Sequence, residues 1–186
     1  PAPVEYWDVR FTLANPISLE DACAELNRRL DESIRLRMIS EVPLGAFLSG
    51  GVDSSAVVAT MARVSQGPVN TCSISFDDPA FDETRFAQQV ADRYRTRHSV
   101  DHVASDDFDL VDQLASIYDE PYADSSAIPL WYLSRLARRH VTVALGGDGG
   151  DELYAGYRTH KALRIAQLWR RLPAALRETV APALIA

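Results

Sequence analysis

Val42-Pro43-Leu44-Gly45-Ala46-Phe47-Leu48-Ser49-Gly50-Gly51-Val52-Asp53-Ser54-Ser55 is the stretch that decides the fold. Pro43 stops whatever helix precedes it, and residues 44–48 form an apolar run of strand length. Gly50 and Gly51 then let the backbone turn sharply and approach a ligand with no Cβ in the way. An apolar helix is expected directly after, over residues 56–64. Strand, glycine turn and helix entry in that order describe a crossover unit of a parallel sheet.

The pattern outward from this unit agrees. Before it, Ser18 is an N-cap candidate with Asp21 three residues on. Leu19, Ala22, Cys23, Leu26, Leu30, Ile34 and Met38 follow at helical spacing, which predicts an amphipathic helix ending near Ser40. After it, strands are expected over residues 69–76, 98–103 and 141–145. Helices are expected over 81–94, 106–118 and 128–139, and from 152 onward with a break at Pro173. Strands alternating with helices imply a doubly wound α/β fold, a Rossmann-like parallel sheet with helices on both faces. Residues 1–16 carry aromatics and prolines without a period and read as a linker or docking arm; the domain proper is expected over 17–186.

Eight of the nine glycines lie within Gly45–Gly51 or Gly146–Gly156. Both clusters follow predicted strands, where ligands bind in open α/β sheets. In the first, Ser49, Ser54 and Ser55 add hydroxyl donors, and the next helix aims its free amides at the same space, which makes a cradle for phosphate. Phosphate alone would repel Asp53, so a cation between them is expected; Mg2+ fits, because it binds few carboxylates plus phosphate oxygens. The lysine-bearing GxxxxGK[ST] loop and GxGxxG are both absent.

Ser49-Gly50-Gly51-Val52-Asp53-Ser54 resembles the SGGxDS signature of the N-type ATP pyrophosphatases, which cleave ATP between the α and β phosphates. That group includes asparagine, GMP, NAD and argininosuccinate synthetases and some tRNA-modifying enzymes. Three longer blocks narrow the resemblance to asparagine synthetases: residues 42–55, similar to VPxGxxLSGGxDSS; Asp119-Glu120-Pro121-Tyr122-Ala123-Asp124-Ser125-Ser126-Ala127-Ile128-Pro129, similar to DEPxxDSSAIP; and Gly146-Gly147-Asp148-Gly149-Gly150-Asp151-Glu152-Leu153-Tyr154-Ala155-Gly156-Tyr157, similar to SGxGxDExxxGY. The region around Phe81-Asp82-Glu83 and the Tyr6-Trp7 arm also look like that family, so the likeness covers nearly the whole chain. The resemblance implies an adenine nucleotide alpha hydrolase-like domain. Leu48 and Ile74 would line the adenine and ribose pocket, and Ser49, Gly50, Gly51, Asp53, Ser54 and Ser55 would hold pyrophosphate. Gly146 and Gly147 would meet the nucleotide through backbone, Asp53 and Asp151 would partner Mg2+, and Asp148 would serve in forming the acyl-adenylate. The family often has Ser-Gly-Glu where this chain has Gly146-Gly147-Asp148; a hydroxyl is lost and the carboxylate is one methylene shorter.

The implied reaction uses ATP and Mg2+. The aspartate side-chain carboxylate attacks the α-phosphate, pyrophosphate leaves, and ammonia from glutamine attacks the activated carbonyl to give asparagine and AMP. The implied partner is a glutaminase domain on the same polypeptide, with a homodimer left open and a cytoplasmic location expected. The scaffold is shared by β-lactam-forming and peptide-cyclising synthetases, and a non-catalytic nucleotide-binding module is a third reading. Intact Asp53, Asp148 and Asp151 count against that last one. The chain begins at Pro1, holds no glutaminase domain, and by the resemblance stops before the synthetase domain ends; taken alone it is expected to bind nucleotide with little or no synthetase activity. Lys161, the only lysine, is weighed as a surface charge against a phosphate contact.

Composition bounds the alternatives. A net charge of -7 and a pI near 5.0 over 186 residues disfavour nucleic-acid binding, which needs a basic face. No apolar run approaches a membrane span. Cys23 and Cys72, far apart with no CxxC, build no zinc or iron–sulfur site and read as two buried thiols. His98, His102, His140 and His160 lack trusted metal-ligand spacing. Trp131, Tyr132 and Leu136 read as core, and Arg135, Arg138 and Arg139 as a solvated helix face, with a docking surface as the alternative. Ser125 and Ser126 read as caps of the next helix, while the resemblance, which sets this block near the active site, leaves a site role open for them. No GxSxG elbow supports a hydrolase.

Overall fold

The computed structural model describes residues 3–8, 16–103, 110–118, 120, 122 and 124–173. Four parallel strands form one sheet: β1 Leu44–Phe47, β2 Asn70–Phe76, β3 Arg97–Val103 and β4 Val143–Leu145, in the order β3-β2-β1-β4. β1 pairs with β2 through Ala46↔Thr71 and with β4 through Gly45↔Ala144. The chain therefore walks outward from β1 to β3 and then returns to the other side of β1. The place where the order reverses lies between β1 and β4, and ligands bind there in sheets of this kind.

Helices α1 Leu19–Arg37, α2 Val52–Val64 and α3 Thr84–Tyr94 precede β3; α4 Leu110–Ile117 and α5 Ala127–Arg138 lie between β3 and β4; α6 Gly150–Tyr154 and α7 Arg158–Arg170 follow β4. Strand side chains alternate between faces. Ala46 points into a core with Val58, Met61, Ala87 and Ala91 of α2 and α3, whereas Cys72 packs with Leu136 and Ala137 of α5 and with Val141. Val103, Leu110 and Tyr132 close a third cluster. Helices thus cover both faces, as the alternation predicts.

Several boundaries differ from the sequence expectations. α2 begins at Val52, not at 56, with Gly51 extended as its N-cap; the SGGVDSS motif is itself the first helical turn. α3 begins at Thr84, not 81, because Asp82 accepts from both the Thr84 amide (3.1 Å) and hydroxyl (2.7 Å) and holds residues 81–83 in a turn. β4 starts at Val143; the Val141 amide still donates to Ala137 O at 2.8 Å, as part of the turn closing α5. The helix expected from 152 onward is two, broken where Ala155 takes a left-handed φ of 58°. The expected helix over 106–118 is seen from Leu110; residues 104–109 lie outside the described residues.

α1 is capped as predicted, Asp21 N donating to Ser18 Oγ at 3.0 Å. Burial along it is a correction. Ile34 is buried, and Leu30 and Met38 are half-buried, but Cys23 and Leu26 are exposed. The apolar stripe is real, yet the core reaches only its second half, so Cys23 is not the buried thiol its spacing suggests. Tyr6 and Trp7 are exposed, and residues 3–8 carry no helix or strand. No helix among the described residues is long and apolar enough to cross a membrane.

Candidate active site

The loop after β1 is built around Ser54. Its hydroxyl accepts from the Ser49 amide (3.3 Å), lies 3.0 Å from Ser49 Oγ and donates to Gly51 O (3.2 Å). These bonds fold the loop onto the start of α2 and leave its first amides aimed at the carboxyl edge of the sheet. Gly50 adopts φ 85°; a Cβ there would lie 2.5 Å from Ala87 N and 2.6 Å from Phe86 Cβ. Only glycine permits this turn pressed against α3.

The loop after β4 packs directly on the first. A Cβ on Gly147 would come 2.8 Å from Ser54 N and 3.0 Å from Asp53 C, and one on Gly150 would come 2.5 Å from Asp53 Oδ2. Gly149 makes the turn between them with φ 87°. The two glycine clusters, the first ending at Gly51 and the second beginning at Gly146, therefore meet across the β1–β4 reversal point.

Between and beside them opens a cavity of about 600 Å³, large enough for a nucleotide-sized ligand. Of the residues singled out from the sequence, Leu48, Ser49, Gly51, Asp53, Ser54, Ile74, Gly146, Gly147, Asp148 and Asp151 all line it. Leu48 is only 1% exposed, and its carbonyl accepts from the Ser73 hydroxyl. The Asp148 carboxylate folds back over Gly146, where a Cβ would strike Oδ2. Gly50 and Ser55 do not line the cavity. Gly50 faces α3, and the Ser55 hydroxyl is buried with no hydrogen-bond partner among the described residues.

Ser126, for which the resemblance left a site role open, does line the cavity. Sequence reasoning missed the rest of that wall: Leu130 and Leu133 of α5 line it too, as do Phe76, Thr84 and Tyr157. Helical spacing on α5 was the available signal, but it does not say which neighbour a face meets. Ser126 occupies the N-cap of α5 without a side-chain cap bond. Asp124 does that work instead, accepting from Ser126 N at 2.8 Å, and this bond holds its carboxyl below the usual range. Near the mouth, Tyr157 Oη donates to Glu152 Oε1 at 2.7 Å. The bond holds the Glu152 carboxyl low and pushes the Tyr157 hydroxyl up. On α5, Tyr132 and Leu136 are buried as expected. Arg135, Arg138 and Arg139 are exposed, as expected; Arg135 lies over the Trp131 ring at 4.5 Å, and Arg139 pairs with Asp101.

Among the described residues no cluster of three or more His, Cys, Asp or Glu side chains could hold a metal. Asp53 and Asp151 do line the same cavity. Two carboxylates with no further protein ligand suit Mg2+, which completes its shell with phosphate oxygens and water. The donor set therefore fits that ion.

A doubly wound parallel sheet with a glycine-lined cleft at its reversal point defines the class: an α/β fold of the adenine nucleotide alpha hydrolase-like type. NMN synthetase from Francisella tularensis shares this fold with a TM-score of 0.50 at 17% identity, covering 76% of this chain and 59% of that one. The family model described as asparagine synthase matches residues 25–185, and the chain belongs to that family. It is 42% identical over 155 residues to the Methanocaldococcus jannaschii protein named "Putative asparagine synthetase [glutamine-hydrolyzing] 2", covering 82% of this chain and 30% of that relative. It is 32% identical over 157 residues to asparagine synthetase [glutamine-hydrolyzing] 1 of Bacillus subtilis, covering 83% of this chain and 24% of that relative. The chain thus spans under a third of the length of these curated relatives.

Proposed function

We propose that this chain carries the ATP-binding, carboxylate-activating site of an asparagine-forming ligase. The observation that carries the reading is the meeting of the two glycine loops at the β1–β4 reversal point, with Asp53 and Asp151 lining the cavity between them. In this reading the adenine and ribose rest against Leu48 and Ile74. Pyrophosphate lies against Ser49, Gly51 and Ser54, bound by amides at the start of α2, with Gly50 shaping the turn beneath it. Gly146 and Gly147 meet the nucleotide through backbone. Asp53 and Asp151 would hold Mg2+, which when bound neutralises charge on the departing pyrophosphate. The acyl substrate is aspartate: its side-chain carboxylate attacks the α-phosphorus, the bond to the bridging oxygen breaks, and the electron pair leaves with pyrophosphate. In this reading Asp148, which lines the cavity, serves in forming the acyl-adenylate. Ammonia, released from glutamine by a glutaminase domain of the same polypeptide, displaces AMP and yields asparagine. Adenylation is required because a carboxylate is a poor electrophile at neutral pH.

The family membership and the 42% identical relative support the choice of acyl group. The tight Gly147–Ser54 and Gly150–Asp53 approaches support the nucleotide site. The test is calorimetric titration with a non-hydrolysable ATP analogue, with and without Mg2+, beside Asp53→Ala. Mg2+-dependent binding that Asp53→Ala loses supports the site; wild-type binding by the variant refutes the role of Asp53. Full-length protein then reports the acyl group, through aspartate-dependent pyrophosphate release.

A further inference from the structure

We propose that Tyr157 is a positioning residue for Asp151, acting through Glu152. The inference rests on the reading of Asp151 as a metal-holding carboxylate. α6 and α7 bury no residue, so core packing does not fix Asp151; local bonds must. On its N-terminal side, Gly150 is pressed against the Asp53 carboxylate. On its C-terminal side, the hydrogen bond from Tyr157 Oη to Glu152 Oε1 spans five residues and closes the turn 152–157. Inside that turn Ala155 sits at φ 58°, an uncommon conformation for a residue with a Cβ that persists only where its surroundings hold it. The Gly156 amide donates to Asp151 O at 3.0 Å. Gly156 lies so close that a Cβ there would strike Asp151 Oδ1. The Asp151 carboxylate is thus seated against a glycine, and the Tyr157–Glu152 bond clasps that glycine in place. The clasp also ties α6 to the first residue before α7, since Tyr157 is the α7 N-cap.

Three substitutions separate the clasp from bulk. Tyr157→Phe removes the hydroxyl and keeps the ring, which stacks on His160 at a centroid distance of 6.1 Å. Glu152→Ala removes the acceptor. Glu152→Gln keeps an acceptor oxygen. In the full-length protein, amide hydrogen exchange at Gly156 and Mn2+ affinity in the presence of a non-hydrolysable ATP analogue, read by electron paramagnetic resonance, are measured together. Tyr157→Phe and Glu152→Ala should each speed Gly156 exchange and weaken Mn2+ about tenfold. Glu152→Gln should stay close to wild type in both, and the double variant should be no weaker than the worse single one. Metal-free affinity for the analogue should fall by less than the Mn2+ affinity, because the clasp acts through Asp151. Wild-type exchange and Mn2+ affinity in Tyr157→Phe overturn the proposal. So does an equal loss of metal-free nucleotide binding, which would make the turn a general prop of the loop. Asp151→Asn separates the two levels. If it loses Mn2+ while Tyr157→Phe does not, the clasp alone falls; if it keeps Mn2+, the metal reading falls and takes the clasp with it.

Discussion

Replacing Gly147 with alanine puts a methyl group into the contact between the two loops. Its Cβ would lie 2.8 Å from Ser54 N and 3.0 Å from Asp53 C, both backbone atoms of the first turn of α2. Comfortable carbon contacts settle near 3.5–4.0 Å, so the loop must retreat by roughly 0.7 Å. Gly147 is not among the left-handed glycines, so alanine meets no backbone strain, and restricting the unfolded chain contributes about 0.4–1 kcal/mol of stability. Overpacking of this kind costs about 1–3 kcal/mol. The net expectation is a loss of about 1–2 kcal/mol, or a fall in Tm of about 2–8 °C for a chain of this length. The functional loss should be larger. On the proposed nucleotide reading, a retreat of that size would break at least one charge-assisted hydrogen bond to phosphate, about 1.5–3 kcal/mol, which is about tenfold or more in Kd. Thermal unfolding by circular dichroism and titration with a non-hydrolysable ATP analogue read the two effects. Gly67→Ala is the control, because nothing lies within 4 Å of its added Cβ. A Gly147→Ala protein that melts and binds like wild type would refute the claim that the loops meet there.

Three other outcomes are expected. Ser54→Ala removes the buried hydroxyl that organises the loop and its bonds to the Ser49 amide and the Gly51 carbonyl, so urea denaturation should show a loss of about 0.5–1.5 kcal/mol. Burial pushes the His98 pKa below its ordinary 6.5, although Thr71 and the Asp92 charge oppose that shift; the folded state therefore binds fewer protons than the unfolded one. That contribution is full above about pH 6.5 and is lost as pH falls toward the depressed folded value, so Tm should drop on acidification, and His98→Gln should flatten the slope. Of the two thiols, Cys23 is exposed and Cys72 is buried with its pKa pushed up by burial. A disulfide reagent should therefore titrate one fast thiol in the native protein and a second only after denaturation.

Much of this architecture is readable from residues alone, and the misses have a common cause. Apolar runs and helical spacing place every strand and most helices, because those periods arise from local geometry. The glycine clusters locate the cavity because close backbone approach excludes side chains, and the Gly147 and Gly150 contacts bear this out. What failed was information that lies between elements. Cys23 falls on the apolar stripe of α1, but only the second half of that stripe meets the core. The α5 wall of the cavity, Leu130 and Leu133, has ordinary helical spacing that says nothing about its neighbour. The helix break at Ala155 was hidden because alanine is a good helix former, and a bond between side chains five residues apart overrides its preference. The early start of α2 was hidden because Gly51-Val52 reads as loop until the extended N-cap is seen.

β4 has three residues, and it brings the second glycine loop to the first. Its pairing with β1 closes a segment of about a hundred residues, among the most entropically demanding steps in assembling such a sheet. The cleft exists only in molecules where that step is complete. On the proposed reading, the nucleotide affinity measured would therefore be the intrinsic affinity multiplied by the fraction of chains with β4 docked. Substitutions that loosen the docking, such as trimming buried Val141, would weaken binding from a distance without touching the ligand. Nucleotide, in turn, would act as the fastener that keeps the last strand in the sheet.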